Sequence, residues 1–168
     1  MNNQVQPSQN DIVKYNLERQ LKSSASWFYW IAALSVINWI AGAFNIGYSF
    51  VIGLGATQMI DGITDSLIKQ MGSGSAMVLS VIALLGTLSV AGIYALFGYF
   101  GSKRATWPFV VGSILYILDA LLFLWAGDYL PLIFHAWALF SLLRGPGIIK
   151  KLRALEESQP MGTNFQSI

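Results

Sequence analysis

Cysteine is absent from this chain, histidine occurs once, and only ten Lys and Arg and eight Asp and Glu are found among 168 residues. Each scarcity removes a class of chemistry. Without a thiol there is no disulfide, no thiolate metal site, no cysteine nucleophile and no dithiol redox couple. Every imidazole-dependent mechanism must use His135. A charged share of 11% is less than half of the roughly 25% of an ordinary soluble domain. The chain also lacks an H-E-x-x-H pair, a Walker loop, a dinucleotide glycine fingerprint and a G-x-S-x-G elbow. Gly53-Leu54-Gly55 is the nearest glycine run, and it has no strand–helix frame around it. No catalytic residue, metal ligand or cofactor is therefore assigned.

What is present is apolar: 55% of the residues are hydrophobic. The few positive charges are also unevenly placed. Lys14, Arg19 and Lys22 precede the first apolar stretch, Lys103 and Arg104 divide the second from the third, and Arg144, Lys150, Lys151 and Arg153 follow the last. Only Lys69 stands elsewhere. Basic residues that collect on alternate loops mark the cytoplasmic side of a membrane protein. The pattern predicts an all-α, polytopic membrane protein with four transmembrane helices and both termini in the cytoplasm. The net charge of +2 is accounted for by lipid headgroups, so the expected partners are the bilayer and a second copy or a membrane-protein complex, with no nucleic acid. The expected setting is a cell membrane of the bacterial inner-membrane kind.

Three regions are expected. Residues 1–23 form a cytoplasmic tail, polar at first, with a short amphipathic helix over 12–23 capped by Asn10 or Asp11 and lying on the membrane surface. Its polar start lacks the short apolar core and small-residue cleavage site of a signal peptide, so the first span is expected to be an uncleaved anchor. Residues 24–144 form the transmembrane domain, with spans at 27–47, 76–100, 107–126 and 129–144. Trp27-Phe28-Tyr29-Trp30 opens the first at headgroup level, and Gly47, Gly53 and Gly55 break it. Residues 56–71 then read as an amphipathic extracytoplasmic helix. Met59, Ile60, Ile63, Leu67 and Met71 share one face, and the helix is expected to lie flat on the outer surface, in preference to a re-entrant loop. Residues 145–168 form a basic cytoplasmic helix and a polar tail, separated from the last span by the Gly145-Pro146-Gly147 break.

The second span places a small residue at every third position, from Ser80 through Gly86, Gly92 and Gly98 to Gly101. A spacing of three drifts about 60° per step on a helix of 3.6 residues per turn, so the stripe winds around the helix and predicts a central position with several neighbours. Gly86, Gly92 and Gly98 are expected to be packing positions, as is Asn38, with a hydrogen bond to Thr87 or Tyr116.

Asp119 and His135 are the two ionisable residues expected at depth in the membrane, on consecutive helices joined by a short loop. An ionisable residue there points to function by default. Insertion of an Asp at mid-span costs about 2.5–3.5 kcal/mol, while each Leu, Ile, Val or Phe returns about 0.3–0.6. The eleven such residues between Phe109 and Leu124 offset it, so a structural pair that fixes helix register is the favoured role. Arg144 reads as an interfacial anchor that snorkels to the headgroups. The functional expectation is an interaction or accessory subunit. The alternative is a small oligomeric transporter or proton channel using Asp119 and His135.

Overall fold

A capping box starts the first helix. The Ser8 hydroxyl accepts the Asp11 N–H at 3.2 Å and the Asp11 carboxylate accepts the Ser8 N–H at 3.1 Å, which satisfies donors that a helix start leaves open. From there a computed structural model, describing residues 8–44 and 54–158, gives five α-helices: α1 (Gln9–Ala43), α2 (Gly55–Met71), α3 (Ala76–Ser102), α4 (Trp107–Ala126) and α5 (Leu130–Ser158), with one 3-10 turn at Ser73–Ser75. No strand occurs among the described residues. Helices α1, α3, α4 and α5 are long and apolar enough to cross a membrane. The break at Gly47 and Gly53, the first seven residues and the polar tail lie outside the described residues.

The four long helices form an antiparallel ring. Helix α1 packs on α3 and α5, and α4 completes the ring against the same two. Among the described residues no helix runs down its centre, but α3 does touch several neighbours, α1, α2 and α4, as its stripe predicts. The small-residue stripe of α3 does wind as its spacing predicts. Ala83 is buried, Gly86 meets Ile60 of α2, and Gly92 faces outward. Gly98 and Gly101 then return to the interior, against Tyr29 and Phe109.

Two expected breaks are absent. Helix α1 is continuous over 35 residues, about 52 Å at 1.5 Å per residue, so the segment expected to lie on the membrane surface stands in line with the span. Helix α5 runs through Pro146 without ending. Proline removes the hydrogen bond to the carbonyl four residues earlier, but both sides of it are held to α1. The Ser24 hydroxyl donates to the Ser141 carbonyl, and Ile148, Ile149 and Leu152 share a buried cluster with Leu21. Tertiary packing overrides the local signal.

The start of α1, the end of α5 and the α3–α4 turn meet at one end of the ring. There Arg104, held at a left-handed φ of 65°, bonds Glu18 of α1 and, at 2.9 Å, Glu156 of α5. Lys14 reaches the same Glu156 at 2.9 Å. These two cations hold the Glu156 carboxyl below the usual carboxylate range. Below this knot the core is aromatic: Phe28 packs on Tyr94, Phe97 and Phe109 with ring centroids 5.7–6.2 Å apart. Glycines make room for the rings. A Cβ at Gly145 would lie 2.5 Å from Phe109, and one at Gly112 would collide with Phe28.

Helix α2 occupies the other end, and not as expected from its amphipathic pattern. It does not lie across the end of the bundle. It packs antiparallel along the first half of α3, with Ile60 on Gly86, and its first residues are inserted among α1, α3 and α4. Leu54 and Thr57 are each 1% exposed. The face carrying Met59, Ile63 and Met71 is turned outward. The reason is hydrogen bonding: the first N–H groups of a helix need acceptors, and the acceptors for α2 are inside the ring.

Candidate functional site

Those acceptors come from Ser35 and Asp119. The Leu54 N–H donates to the Ser35 hydroxyl at 3.0 Å, and Ser35 in turn donates to the Ile31 carbonyl at 2.8 Å. The next two N–H groups, of Gly55 and Ala56, donate to Oδ2 and Oδ1 of Asp119, both at 2.8 Å. Helix α2 thus has no cap of its own. It takes one from α4, and the carboxylate sits at the positive end of its dipole. Close approach needs Gly55, since a Cβ there would come within 2.9 Å of the Phe123 ring.

His135 of α5 completes the site, with Nε2 3.0 Å from Asp119 Oδ2. Its Nδ1 lies 2.9 Å from the Pro131 carbonyl. A carbonyl only accepts, so Nδ1 carries a hydrogen. One further proton must then lie between Nε2 and Oδ2, on the imidazole or on the carboxyl. The pair holds that proton in common and buries no net charge, which avoids the cost of an isolated ion. The ring is clamped as well, stacked on Tyr116 at 4.2 Å and 15° and flanked by Phe123 at 5.2 Å. Asp119 is 5% exposed and His135 1%. A groove of about 350 Å³ on the flank, lined by Leu54, Val90, Tyr94 and Leu118, reaches the edge of Asp119.

The surrounding layer is polar. Asn38 is buried on α1, one turn beyond Ser35. The bonds expected from it to Thr87 or Tyr116 are not made, since the buried hydroxyls of Thr87, Ser113 and Tyr116 have no protein partner. Buried hydroxyls without protein partners call for ordered water. Farther toward the α2 C-terminus, a pocket of about 120 Å³ is lined by Trp39, Asp61, Thr64, Asp65 and Ser80. Burial, and then the Asp65 charge, pushes the Asp61 carboxyl up to about 6. Among the described residues no three His, Cys, Asp or Glu side chains converge as a metal-holding group.

The residues singled out from sequence are thus dispersed, apart from one pair. Asp119 and His135 are in contact. Gly98 meets Tyr29 at 2.8 Å from its would-be Cβ and Gly86 has ordinary contact with Ile60, while Gly92 has nothing within 4 Å. Arg144 is remote, at the terminus end, over the Phe140 ring at 4.9 Å. Sequence reasoning missed Ser35 and the α2 start. Gly55 was the available signal, read only as a helix breaker.

Comparison with protein-family models, curated proteins and solved structures finds no match.

Proposed function

We propose that this chain is a small multi-pass membrane protein that works by interaction, as a structural or accessory subunit, with both termini on the cytoplasmic side. One observation carries the reading: both oxygens of Asp119 are already used, by two backbone N–H groups and by His135. A carboxylate so engaged is a cap and a helix clamp, and it has little capacity left for a substrate. The outward face supports the same view. Leu85, Ser89, Gly92 and Leu96 lie along the exposed side of α3, at the spacing by which a second helix packs.

Affinity capture in mild detergent tests this, wild type beside Gly92→Leu. Because Gly92 has no internal neighbour, the leucine leaves the chain's own packing alone. A stoichiometric partner, or a second copy, that is lost in the variant supports the reading. A protein that is monomeric and alone in both forms sinks it. Orientation is tested separately, by a reporter after Gln159, expected inside, and one at Ser73, expected outside.

A second reading has its own observation. The unpartnered hydroxyls of Thr87, Ser113 and Tyr116 and the Asp61–Asp65 pocket would suit a hydrated proton path in an oligomer, ending at the shared proton of Asp119 and His135. Proteoliposomes decide it: proton flux abolished by Asp119→Asn supports a path, and absence of flux in the wild type eliminates it.

A further inference from the structure

Arg144 closes the uncharged run that begins after Asp128. Among the described residues no carboxylate pairs with it: Glu18 and Glu156, the acids bonded at that end, are engaged by Arg104 and Lys14. Its guanidinium is braced over the Phe140 ring at 4.9 Å, an arrangement that leaves the edge of the fork free to donate. Beside it runs a groove of about 220 Å³ between α1 and α5. Gln20, Ser23 and Trp27 form one wall, and Ser141, Arg144 and Ile148 the other. Trp27 belongs to the aromatic cluster that opens the apolar part of α1, so the groove lies where the apolar span gives way to charge, the level of lipid headgroups.

We infer that this groove binds the headgroup phosphate of an anionic phospholipid, with Arg144 as its principal ligand and Gln20 and Ser23 as further donors. A planar guanidinium meets two phosphate oxygens at once. No acidic side chain lines the groove, so the ammonium of a zwitterionic lipid finds no counter-charge there. Lys22, one residue before Ser23 on α1, adds to the positive charge at this end. Trp137, Phe140 and Leu143, all exposed on α5, offer an apolar track for an acyl chain toward the bilayer centre. The inference requires the bundle and not its orientation.

Thermal melting of the full chain in neutral detergent tests it, with phosphatidylglycerol, phosphatidylcholine or inorganic phosphate added. Phosphatidylglycerol is expected to raise the wild-type Tm, and phosphatidylcholine and phosphate are not. In Arg144→Gln the apparent affinity falls about tenfold. Arg144→Lys retains part of it, as a point charge without the fork. Gln20→Leu, which alters no charge, weakens it to a smaller degree, and Arg153→Gln, in a different groove, leaves it unchanged. Equal shifts in wild type and Arg144→Gln overturn the proposal. So does a shift that phosphatidylcholine matches, or one that inorganic phosphate alone reproduces, since the ligand is then not an anionic lipid.

Discussion

The two ends of the bundle are built on different principles. At the terminus end the interior is filled by rings set into glycine notches: Phe109 against Gly101 and Gly145, Phe28 against Gly112, Tyr29 against Gly98. At the other end a helix start is inserted into the ring, and donors and acceptors hold it: Ser35, Asp119 and His135. The first end is specified by shape, so it tolerates no added volume. The second is specified by hydrogen bonds, so the loss of one acceptor leaves buried donors unpaired. A membrane bundle gains little from burying apolar surface, because lipid is as apolar as its core. Close packing and internal polar bonds are the two remaining ways to fix a unique arrangement, and this chain uses one at each end.

Removing the central acceptor should break the polar end most severely. Asp119→Ala leaves two N–H groups and His135 without their partner, a loss of about 3–5 kcal/mol by comparison with broken buried pairs. Amide exchange at Gly55 and Ala56 should accelerate by orders of magnitude, while exchange at Leu21 and Leu152 changes far less. Uniform acceleration would show that the ends are not separable. Asp119→Asn keeps one acceptor oxygen and should fall between wild type and Ala.

The converse test adds volume at the shape-defined end. Gly145→Leu drives a side chain into Phe109 and should cost about 3 kcal/mol, read as a lowered Tm in detergent. Gly92→Leu, on the outward face of α3, should change stability by no more than about 0.5 kcal/mol. Equal costs would remove the distinction between notch and open face.

A smaller effect belongs to Asp61, outside the four long helices. Its carboxyl is raised from 3.8 to about 6, so the folded chain binds that proton more tightly than the unfolded chain does. Stability is then highest below 3.8, declines as pH rises toward 6, and is flat above that. Asp61→Asn should remove the decline and raise stability at pH 7.5 by about 1 kcal/mol, less than the full shift because solvent screens a partly exposed group. Melting at pH 4.5 and 7.5 measures it. The smallest effect is expected at the Arg104 knot, where the partners are over a third exposed. Arg104→Ala should cost about 1 kcal/mol or less, and the difference should shrink at high salt.

The four long apolar helices were legible because hydropathy and proline at the start of α4 act locally. The meeting of Asp119 with His135 was legible too, because consecutive antiparallel helices are neighbours. The continuity of α5 was not: Gly145-Pro146-Gly147 reads as a stop, and only contact with Leu21 and Ser24 overrides it. Nor was the position of α2. Its apolar face suggested a helix at rest on a surface, yet that face is the exposed side of an inserted helix, and the acceptors that draw its start inward lie 19 and 64 residues away in sequence. Periodicity reports which face is apolar and not what that face meets.

The cap on α2 also sets an order of events during synthesis. Gly55 and Ala56 leave the ribosome well before Asp119, and His135 follows later still. At about 5–20 residues per second, the 64 residues between Gly55 and Asp119 take roughly 3–13 s to make. For that interval the start of α2 has no Asp119 to receive it. The start of α2 is therefore seated no earlier than the arrival of α4, and the core, which includes Leu142 and Leu152 of α5, closes only after the fourth long helix is made.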